Sequence, residues 1–234
     1  FLRRGLGANT GMIVVTGPTG SGKSTTLYAA LNELNDGDRN VVTVEDPVER
    51  RVDGVNQVQV NDDIGLTFAG SLRAFLRQDP DVIMVGEIRD RETAEIAVRA
   101  ALTGHLVLTT LHTNDAAASV ARLVDMGVAP FLVAASIRLV VAQRLLRTRC
   151  AACEGASCED CGETGLRGRI GVFEVLPINE RIRRLVAGGA DADEIRAAAV
   201  DAGMPTLARC ADDKVALGIT SAEEALRCVH ADLS

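Results

Sequence analysis

Aromatic residues and long apolar segments are nearly absent from this sequence. Tryptophan does not occur, and aromatic residues make up 3% of the chain although hydrophobic residues make up 47%. The core must therefore be built from Val, Leu, Ile and Ala. Because no run of about twenty apolar residues occurs, we predict that no segment spans a membrane, and we find no signal peptide.

Basic residues are also in the minority. Lys and Arg number 25 against 32 Asp and Glu, which gives a formal net charge of −7. Proteins that track nucleic-acid strands combine basic grooves with stacking aromatic rings. Because this chain is short of both, we predict that nucleic acid is not a partner.

Short β-branched runs alternate with helical patterns in the first part of the chain. We predict strands at residues 12–16, 41–44, 82–85 and 106–110. Helices between them carry apolar residues at i, i+3, i+4 and i+7, as in Leu27, Ala30, Leu31 and Leu34. This alternation predicts an α/β fold with a mostly parallel sheet covered on both faces.

The pattern changes near Arg149. A stretch rich in Cys and Gly follows, then a predicted strand at 170–175 and a helical tail, in which 191–194 and 221–224 look like capping boxes. We divide the chain into an α/β core (1–145), a four-cysteine metal-binding element (146–176) and a helical C-terminal subdomain (177–234).

A phosphate-binding loop follows the first predicted strand. Residues 17–24 match the pattern G-x-x-x-x-G-K-[ST], and a helix follows them. The glycines let backbone N–H groups surround phosphates, Lys23 reaches the β- and γ-phosphates, and the Ser24 hydroxyl ligates Mg²⁺. The predicted nucleotide-binding residues are Gly17, Pro18, Thr19, Gly20, Ser21, Gly22, Lys23, Ser24 and Thr25.

Acidic residues follow two other predicted strands. Glu87 ends the apolar run 82–86, where a carboxylate beside Mg²⁺ is expected. Glu45 and Asp46 follow the strand at 41–44. Because ligands bind at the carboxyl ends of parallel strands, Glu45 and Asp46 are predicted to hold the attacking water. A solvated acidic loop is the alternative for 45–49.

Histidines and arginines supply further candidates. His105 and His112 flank the fourth strand and are predicted to lie near one sheet edge, where a histidine senses the γ-phosphate; a structural role is the alternative. Four arginines are candidates for acting across a subunit boundary, and ion pairs with nearby acids explain each one equally well. They are Arg73, Arg77, Arg89 and Arg91.

Four of the six cysteines form two closely spaced C-x-x-C pairs, Cys150 with Cys153 and Cys158 with Cys161. Two such pairs can supply four thiolates to one tetrahedral Zn²⁺, although the gap between the pairs is short for a zinc ribbon. A reactive dithiol is the alternative. No open ligand position is implied, so the predicted zinc is structural.

Together these motifs resemble the type II secretion and type IV pilus assembly ATPases of the secretion ATPase superfamily. The resemblance covers residues 11–176. It rests on the phosphate loop at 16–25, an aspartate box at 45–49, the segment 76–90, a histidine box at 103–114 and the segment 142–145. The four cysteines and residues 165–174 are typical of the assembly and secretion branch, whereas pilus retraction ATPases typically lack the cysteine insertion.

The resemblance implies a RecA-like core in a homo-hexameric ring that hydrolyses ATP at its subunit joints. It implies Glu45 as general base and Glu87 near Mg²⁺ and the water. ATP, Mg²⁺ and Zn²⁺ are the expected cofactors. The expected partners are an inner-membrane platform protein and associated secretion or pilus components, with the motor cytoplasmic and peripheral to the inner membrane.

The chain begins at Phe1 and enters its first strand almost at once. We therefore interpret it as a piece without the N-terminal domain of the family, which closes over nucleotide and supplies arginines across subunits. The alternatives are a DNA-uptake or pilus retraction ATPase, a nucleic-acid motor and a non-hydrolysing nucleotide binder. Nucleotide binding without turnover would favour the last.

Overall fold

The computed structural model describes residues 2–229, which are organised around one seven-stranded sheet. Its strands are β1 (Gly11–Thr16), β2 (Val41–Glu45), β3 (Asn56–Gln59), β4 (Val82–Val85), β5 (Leu106–Leu111), β6 (Ile137–Arg149) and β7 (Leu166–Pro177). They lie in the order β3-β2-β4-β5-β1-β6-β7. Neighbouring strands are parallel except for β6 and β7, which form an antiparallel pair.

Ten helices flank the sheet in the described part of the chain. They are α1 (Leu2–Leu6), α2 (Lys23–Leu34), α3 (Phe68–Phe75), α4 (Arg91–Leu102), α5 (Ala116–Asp125), α6 (Pro130–Ser136), α7 (Glu180–Ala187), α8 (Ala192–Asp201), α9 (Leu207–Ala216) and α10 (Ala222–Val229). Among residues 2–229, no helix has both the length and the apolar character needed to cross a membrane.

Both faces of the sheet are apolar and covered, because successive side chains of a strand point to opposite sides. Ile13 packs with Leu31 of α2, whereas Val14 belongs to a cluster that includes Val98 of α4. Every residue of β1, β2, β4 and β5 is buried. The predicted α/β fold with a mostly parallel, doubly covered sheet is thus confirmed.

Strands β3 and β6 are not among the strands predicted from sequence patterns. The 13 residues of β6 include four basic side chains, so the run does not look like a buried strand. It forms because β1 pairs with one of its edges and β7 with the other. Gln143 and Arg144 are nevertheless buried within it. The strand predicted at 170–175 is also longer and spans β7.

The helical tail shares its core with the sheet. Ile182, Ile195 and Leu207 belong to the same buried cluster as Val14, and β6 runs across the boundary drawn at residue 145. The three-part division stays a prediction. The capping box at 191–194 is confirmed.

The second predicted capping box is half formed. Ser221 Oγ accepts the N–H of Glu224 at 3.1 Å. The Glu224 carboxylate instead accepts hydrogen bonds from the side chains of Arg147 and Arg227, so it does not return to the start of α10.

Candidate functional site

A cleft of about 400 Å³ lies at the carboxyl ends of β1, β2, β4 and β5. This is the edge at which open parallel sheets bind ligands. Its wall combines the predicted phosphate loop, the acids near 45–49, Glu87 and His112 with residues from β6 and β7. The lining residues outside the phosphate loop include Tyr28, Glu45, Asp46, Glu49, Glu87, His112, Leu145 and Arg169.

The phosphate loop connects β1 to α2 and leaves the helix start open. Gly22 precedes α2 with φ 87°, and no side chain caps the helix. A Cβ on Gly17 would lie 2.5 Å from the carbonyl oxygen of Gln143, so only glycine fits there. Uncapped N–H groups at a helix start attract anions. The loop therefore has the form that phosphate binding requires.

Lys23 folds back onto this loop. Its ammonium donates hydrogen bonds to the carbonyl oxygens of Gly17 at 2.8 Å and Pro18 at 3.0 Å. Burial lowers the pKa of Lys23, the carboxylate of Glu87 raises it, and Arg144 lowers it. Lys23 is 9% exposed, so its charge lies at the inner wall of the cleft.

Ser24 faces an acid that does not stand among the predicted site residues. Its hydroxyl donates to Oε1 of Glu49 at 3.0 Å. Glu49 is exposed and lines the cleft together with Asp46. Its place in the E-D-P-V-E segment is the only sequence signal that points to it. The fold therefore brings Glu49, rather than Glu45, to the predicted Mg²⁺ ligand.

Glu45 is 4% exposed and held by the protein itself. Its Oε2 accepts a hydrogen bond from the Tyr28 hydroxyl. Its Oε1 accepts hydrogen bonds from Thr43 Oγ1 at 2.6 Å and Gln57 Nε2 at 3.0 Å. A carboxylate that accepts three internal hydrogen bonds is poorly placed to take a proton from water. The general-base role of Glu45 stays a prediction.

Glu87 follows β4 and is oriented by two basic side chains. Its Oε1 lies 2.5 Å from Arg89 Nη2, and its Oε2 lies 3.3 Å from His112 Nε2. The Glu87 side chain is 12% exposed, whereas that of His112 is 50% exposed. Thr110 donates to the carbonyl oxygen of Gly86 at 2.7 Å and joins the ends of β4 and β5. Glu87, His112 and Arg89 thus form one polar group at the cleft.

His105 lies elsewhere, and the expectation that both histidines share one sheet edge is wrong. His105 precedes β5, and its Nδ1 donates to the carbonyl oxygen of Ala100 at 3.0 Å. His112 follows β5. Six residues of extended chain separate the two ends of a strand by about 20 Å. The ends of a strand lie at opposite edges of the sheet, so only His112 reaches the cleft.

Three of the four candidate arginines form intrachain ion pairs. These are Arg73 with Glu92, Arg89 with Glu87, and Arg91 with Glu95. Arg77 is exposed, and its guanidinium donates to the carbonyl oxygen of Arg73 at 2.9 Å. Within this chain, the alternative of intrachain ion pairs therefore applies to Arg73, Arg89 and Arg91. The role across a subunit boundary stays a prediction for Arg77 and Arg89.

Strands β6 and β7 bring residues to the cleft that the predicted elements do not include. Gln143 Oε1 accepts the Thr26 hydroxyl at 2.7 Å, which ties β6 to α2. Arg144 donates to the carbonyl oxygen of Asn114 at 2.9 Å. Leu145 and Arg169 line the cleft. Their contribution depends on pairing that a local pattern cannot reveal.

The four predicted cysteine ligands do meet, in the loop between β6 and β7. Their Sγ atoms all lie within 4.8 Å of one another. Individual Sγ separations are 3.8 Å for Cys150–Cys158, 3.9 Å for Cys153–Cys161 and 3.6 Å for Cys158–Cys161. Zn–S bonds of about 2.3 Å place the sulfurs of a tetrahedron about 3.8 Å apart. These residues therefore fit one tetrahedral metal ion.

The comparison with known families agrees with the resemblance. The family model described as "Type II/IV secretion system protein" matches residues 1–227. The chain belongs to this family. Among curated members, it is 54% identical over 225 residues to the "Type II secretion system protein HxcR" of Pseudomonas aeruginosa. It is 51% identical over 242 residues to the "Type IV pilus assembly ATPase PilB" of Myxococcus xanthus.

These alignments cover 93% and 92% of the chain but 48% and 43% of the relatives. This secretion-family chain therefore spans about half the length of the curated relatives that it matches. Among solved structures, it resembles the pilus retraction motor PilT with bound ADP (TM-score 0.81, 34% identity, covering 97% of this chain and 63% of PilT). It also resembles the ATPase DotB of Legionella pneumophila (TM-score 0.77, 31% identity, covering 96% of this chain and 61% of DotB). The predicted RecA-like P-loop fold is confirmed.

Proposed function

We propose that this chain is the nucleotide-hydrolysing part of an ATPase that powers type II protein secretion or the assembly of a type IV pilus or pseudopilus. The observation that carries the proposal is one cleft in which an open phosphate loop faces Glu49 and the Glu87–His112 pair. The curated relatives are named as a type IV pilus assembly ATPase and a type II secretion protein, which supports the assignment to these systems. The proposed reaction converts ATP and water into ADP and phosphate.

The phosphates of ATP bind at the open start of α2. Loop N–H groups and the Lys23 ammonium hold the phosphate oxygens, and Lys23 gives up the carbonyl oxygens of Gly17 and Pro18 to do so. Ser24 and Glu87 would hold Mg²⁺, which would supply positive charge against the negative charge of the phosphates. The donor set fits, because a hydroxyl and carboxylate oxygens are the ligands that Mg²⁺ prefers.

The two acids of the cleft have separate roles in this proposal. Glu87 keeps its orientation through Arg89 and His112. Glu49 takes over the role predicted for Glu45, because it is exposed beside Ser24 and is able to accept a hydrogen bond from the attacking water. Glu45 supports the loop that carries Glu49 and Asp46.

The nucleoside part of ATP lies against Leu145 and Arg169. Both residues line the cleft together with Gly22 and come from the β6–β7 pair. A leucine offers an apolar surface to a base, and a guanidinium stacks on its face.

The cysteine cluster would hold structural zinc. Four thiolates would fill a tetrahedral coordination shell and leave no position open for substrate. Support comes from the Sγ separations and from the N–H of Gly165, which donates to Cys161 Sγ at 3.2 Å and so fixes the direction of this sulfur. This cluster favours the assembly and secretion branch over the retraction branch.

The working assembly is a homo-hexamer at the cytoplasmic face of the inner membrane, where it drives a membrane platform protein. Arg77 of one subunit completes the cleft of its neighbour, while Arg89 stays with Glu87 in its own cleft. The exposed side chains of His112 and Arg89 are accessible for such contacts. The family membership supports this assembly.

Steady-state ATPase activity tests the proposal. Turnover should rise more than linearly with protein concentration if neighbouring subunits complete the site, and Lys23→Ala and Glu87→Gln should abolish it. Asn32→Ala, at an exposed position of α2, is the matched control. The assay is run on this chain and on one as long as the relatives. ATP binding without turnover in both would overturn the hydrolase proposal and favour a non-hydrolysing binder.

A further inference from the structure

Tyr28 is the only tyrosine of the chain and lies one helical turn after Ser24 on α2. Residues four apart on a helix share one face, so both side chains point to the same side. Tyr28 is 5% exposed, yet it belongs to the cleft wall. A buried phenol at this place requires hydrogen-bond partners.

Those partners are the two ends of the acid loop, which we define as residues 45–50. The Tyr28 hydroxyl donates to Oε2 of Glu45 and accepts the backbone N–H of Arg50 at 3.3 Å. The guanidinium of Arg50 lies 5.4 Å from the centre of the Tyr28 ring. Burial, and then the hydrogen bond to Glu45, raise the pKa of Tyr28, so the phenol stays protonated as a donor.

The acid loop carries Asp46 and Glu49 to the cleft between these two ends. Helix α2 therefore contacts the acid loop at two places. Ser24 donates a hydrogen bond to Glu49 at 3.0 Å, and the Tyr28 hydroxyl is hydrogen-bonded to Glu45 and Arg50. Because α2 also begins at Lys23, its geometry couples the phosphate site to the acid loop.

We propose that Tyr28 is a positioning residue for hydrolysis, which holds both ends of the acid loop against α2 so that Glu49 keeps its place beside Ser24. This inference rests on the proposed function of the cleft. Tyr28 acts through Glu45 and Arg50 and takes no proton from substrate. Hydrolysis therefore depends on a hydroxyl that performs no chemistry itself.

Tyr28→Phe tests the inference, because it keeps the ring and loses only the hydroxyl. We expect kcat to fall by between about tenfold and about a hundredfold, the range for losing a hydrogen bond to a charged group. The KM for ATP should change by less than about twofold, since Lys23 and the loop N–H groups remain. If Tyr28 acts through Glu49, the double variant Tyr28→Phe/Glu49→Gln should be no slower than Glu49→Gln alone.

Amide hydrogen exchange tests the same inference without turnover. Residues 46–50 should exchange at least about tenfold faster in Tyr28→Phe than in the parent chain, because Arg50 N–H loses its acceptor. Asn32→Ala, one turn further along α2 and exposed, should leave that exchange unchanged. Thermal unfolding confirms that each variant folds.

The two proposals fail in different ways. A parent chain that binds ATP without turnover overturns the hydrolase function, while the exchange rates still report on the loop. Unchanged exchange at 46–50 in Tyr28→Phe overturns the inference. If the parent chain is active and the reductions in kcat caused by Tyr28→Phe and Glu49→Gln multiply in the double variant, the inference is also overturned.

Discussion

The parallel strands and the antiparallel β6–β7 pair use polar residues in opposite ways. Strands β1, β2, β4 and β5 are buried along their whole length and carry mainly apolar residues. The cleft side chains that we propose take part in hydrolysis follow the strand ends, as Glu87 and His112 do. The β6–β7 pair buries large polar side chains within its strands, among them Gln143, Arg144 and Glu174, whereas the buried polar residues of the parallel strands are threonines and the terminal Glu45.

Buried carboxylates join this antiparallel pair to the helical tail. Glu174 of β7 accepts the backbone N–H groups of Ala116, at the start of α5, and Leu207, at the start of α9. Burial raises the pKa of Glu174, and these two N–H groups lower it. Glu224 of α10 accepts side-chain hydrogen bonds from Arg147 of β6.

The difference shows two ways to position functional groups. In the parallel half, hydrophobic burial aligns the strands, and their ends deliver the site. In the antiparallel pair, strand interiors deliver Leu145 and Arg169 to the cleft, while polar bonds secure the strands to the tail. Changes to exposed side chains of the cleft should therefore alter catalysis or ATP binding, whereas changes to buried polar groups should alter stability.

The largest effect on stability is expected at Glu224. Glu224→Gln should lower the free energy of unfolding by about 3 kcal/mol, because the buried Glu224 side chain no longer accepts charge-assisted hydrogen bonds from Arg147 and Arg227. Urea unfolding at neutral pH measures this loss. Glu223→Gln, at the exposed neighbouring position, is the control and should cost little.

The same residue sets a pH dependence. Burial raises the pKa of Glu224, but hydrogen bonds from Arg147 and Arg227 outweigh burial and lower it to about 2 from its usual 4.5. A depressed folded-state pKa stabilises the fold above the unfolded value. This contribution should be complete above about pH 5 and should disappear as the pH falls from there towards about 2. A Glu224→Gln chain with an undiminished acid transition would contradict this assignment.

Glu49 and Glu45 should differ in their effect on stability. Glu49→Gln should lower kcat by about a hundredfold and leave the melting temperature unchanged. Glu45→Gln should cost about 2 kcal/mol of stability, because Tyr28 and Thr43 lose a charged acceptor. It should lower kcat no further than Tyr28→Phe does, because both changes loosen the same acid loop. Steady-state kinetics and thermal unfolding of both variants measure this. A fall in kcat for Glu45→Gln that exceeds the fall for Glu49→Gln would support Glu45 as the general base.

Metal removal should affect the β6–β7 loop more than the parallel half. A chelator should release about one zinc per chain and accelerate amide exchange in residues 150–166, while β1 and β5 keep their protection. Elemental analysis and hydrogen exchange measure the two effects. A chain that is purified without zinc and shows no change with chelator would favour the dithiol alternative.

Arg169 should show the smallest effect. Arg169→Ala should weaken ATP binding by about fivefold, as expected for one exposed contact to the base, and should leave stability unchanged. Titration with a fluorescent ATP analogue measures the affinity. Arg167→Ala, two residues away on β7 and exposed, is the matched control. Equal effects of both variants would indicate general electrostatics rather than a base contact.

Local patterns in the sequence were sufficient for the four fully buried parallel strands. Continuous apolar runs predict β1, β2, β4 and β5 because strands buried on both faces tolerate few polar residues. The phosphate loop and the four-cysteine motif are each short, continuous segments. The spacing of residues within each segment therefore predicts which side chains come together. The positions of Lys23, Ser24 and Glu87 follow from the rule that parallel strands end at one edge.

Tertiary structure alone decided the rest. Strand β6 exists because two neighbours pair with it, and its basic residues hide that fact from any local pattern. Glu45 and Glu49 are both acids of one short loop. Contacts with Tyr28, Thr43 and Gln57 determine that Glu45 is bound internally, while Glu49 faces Ser24. Local sequence encodes where strands end, whereas the direction of each side chain depends on contacts with residues far away in the chain.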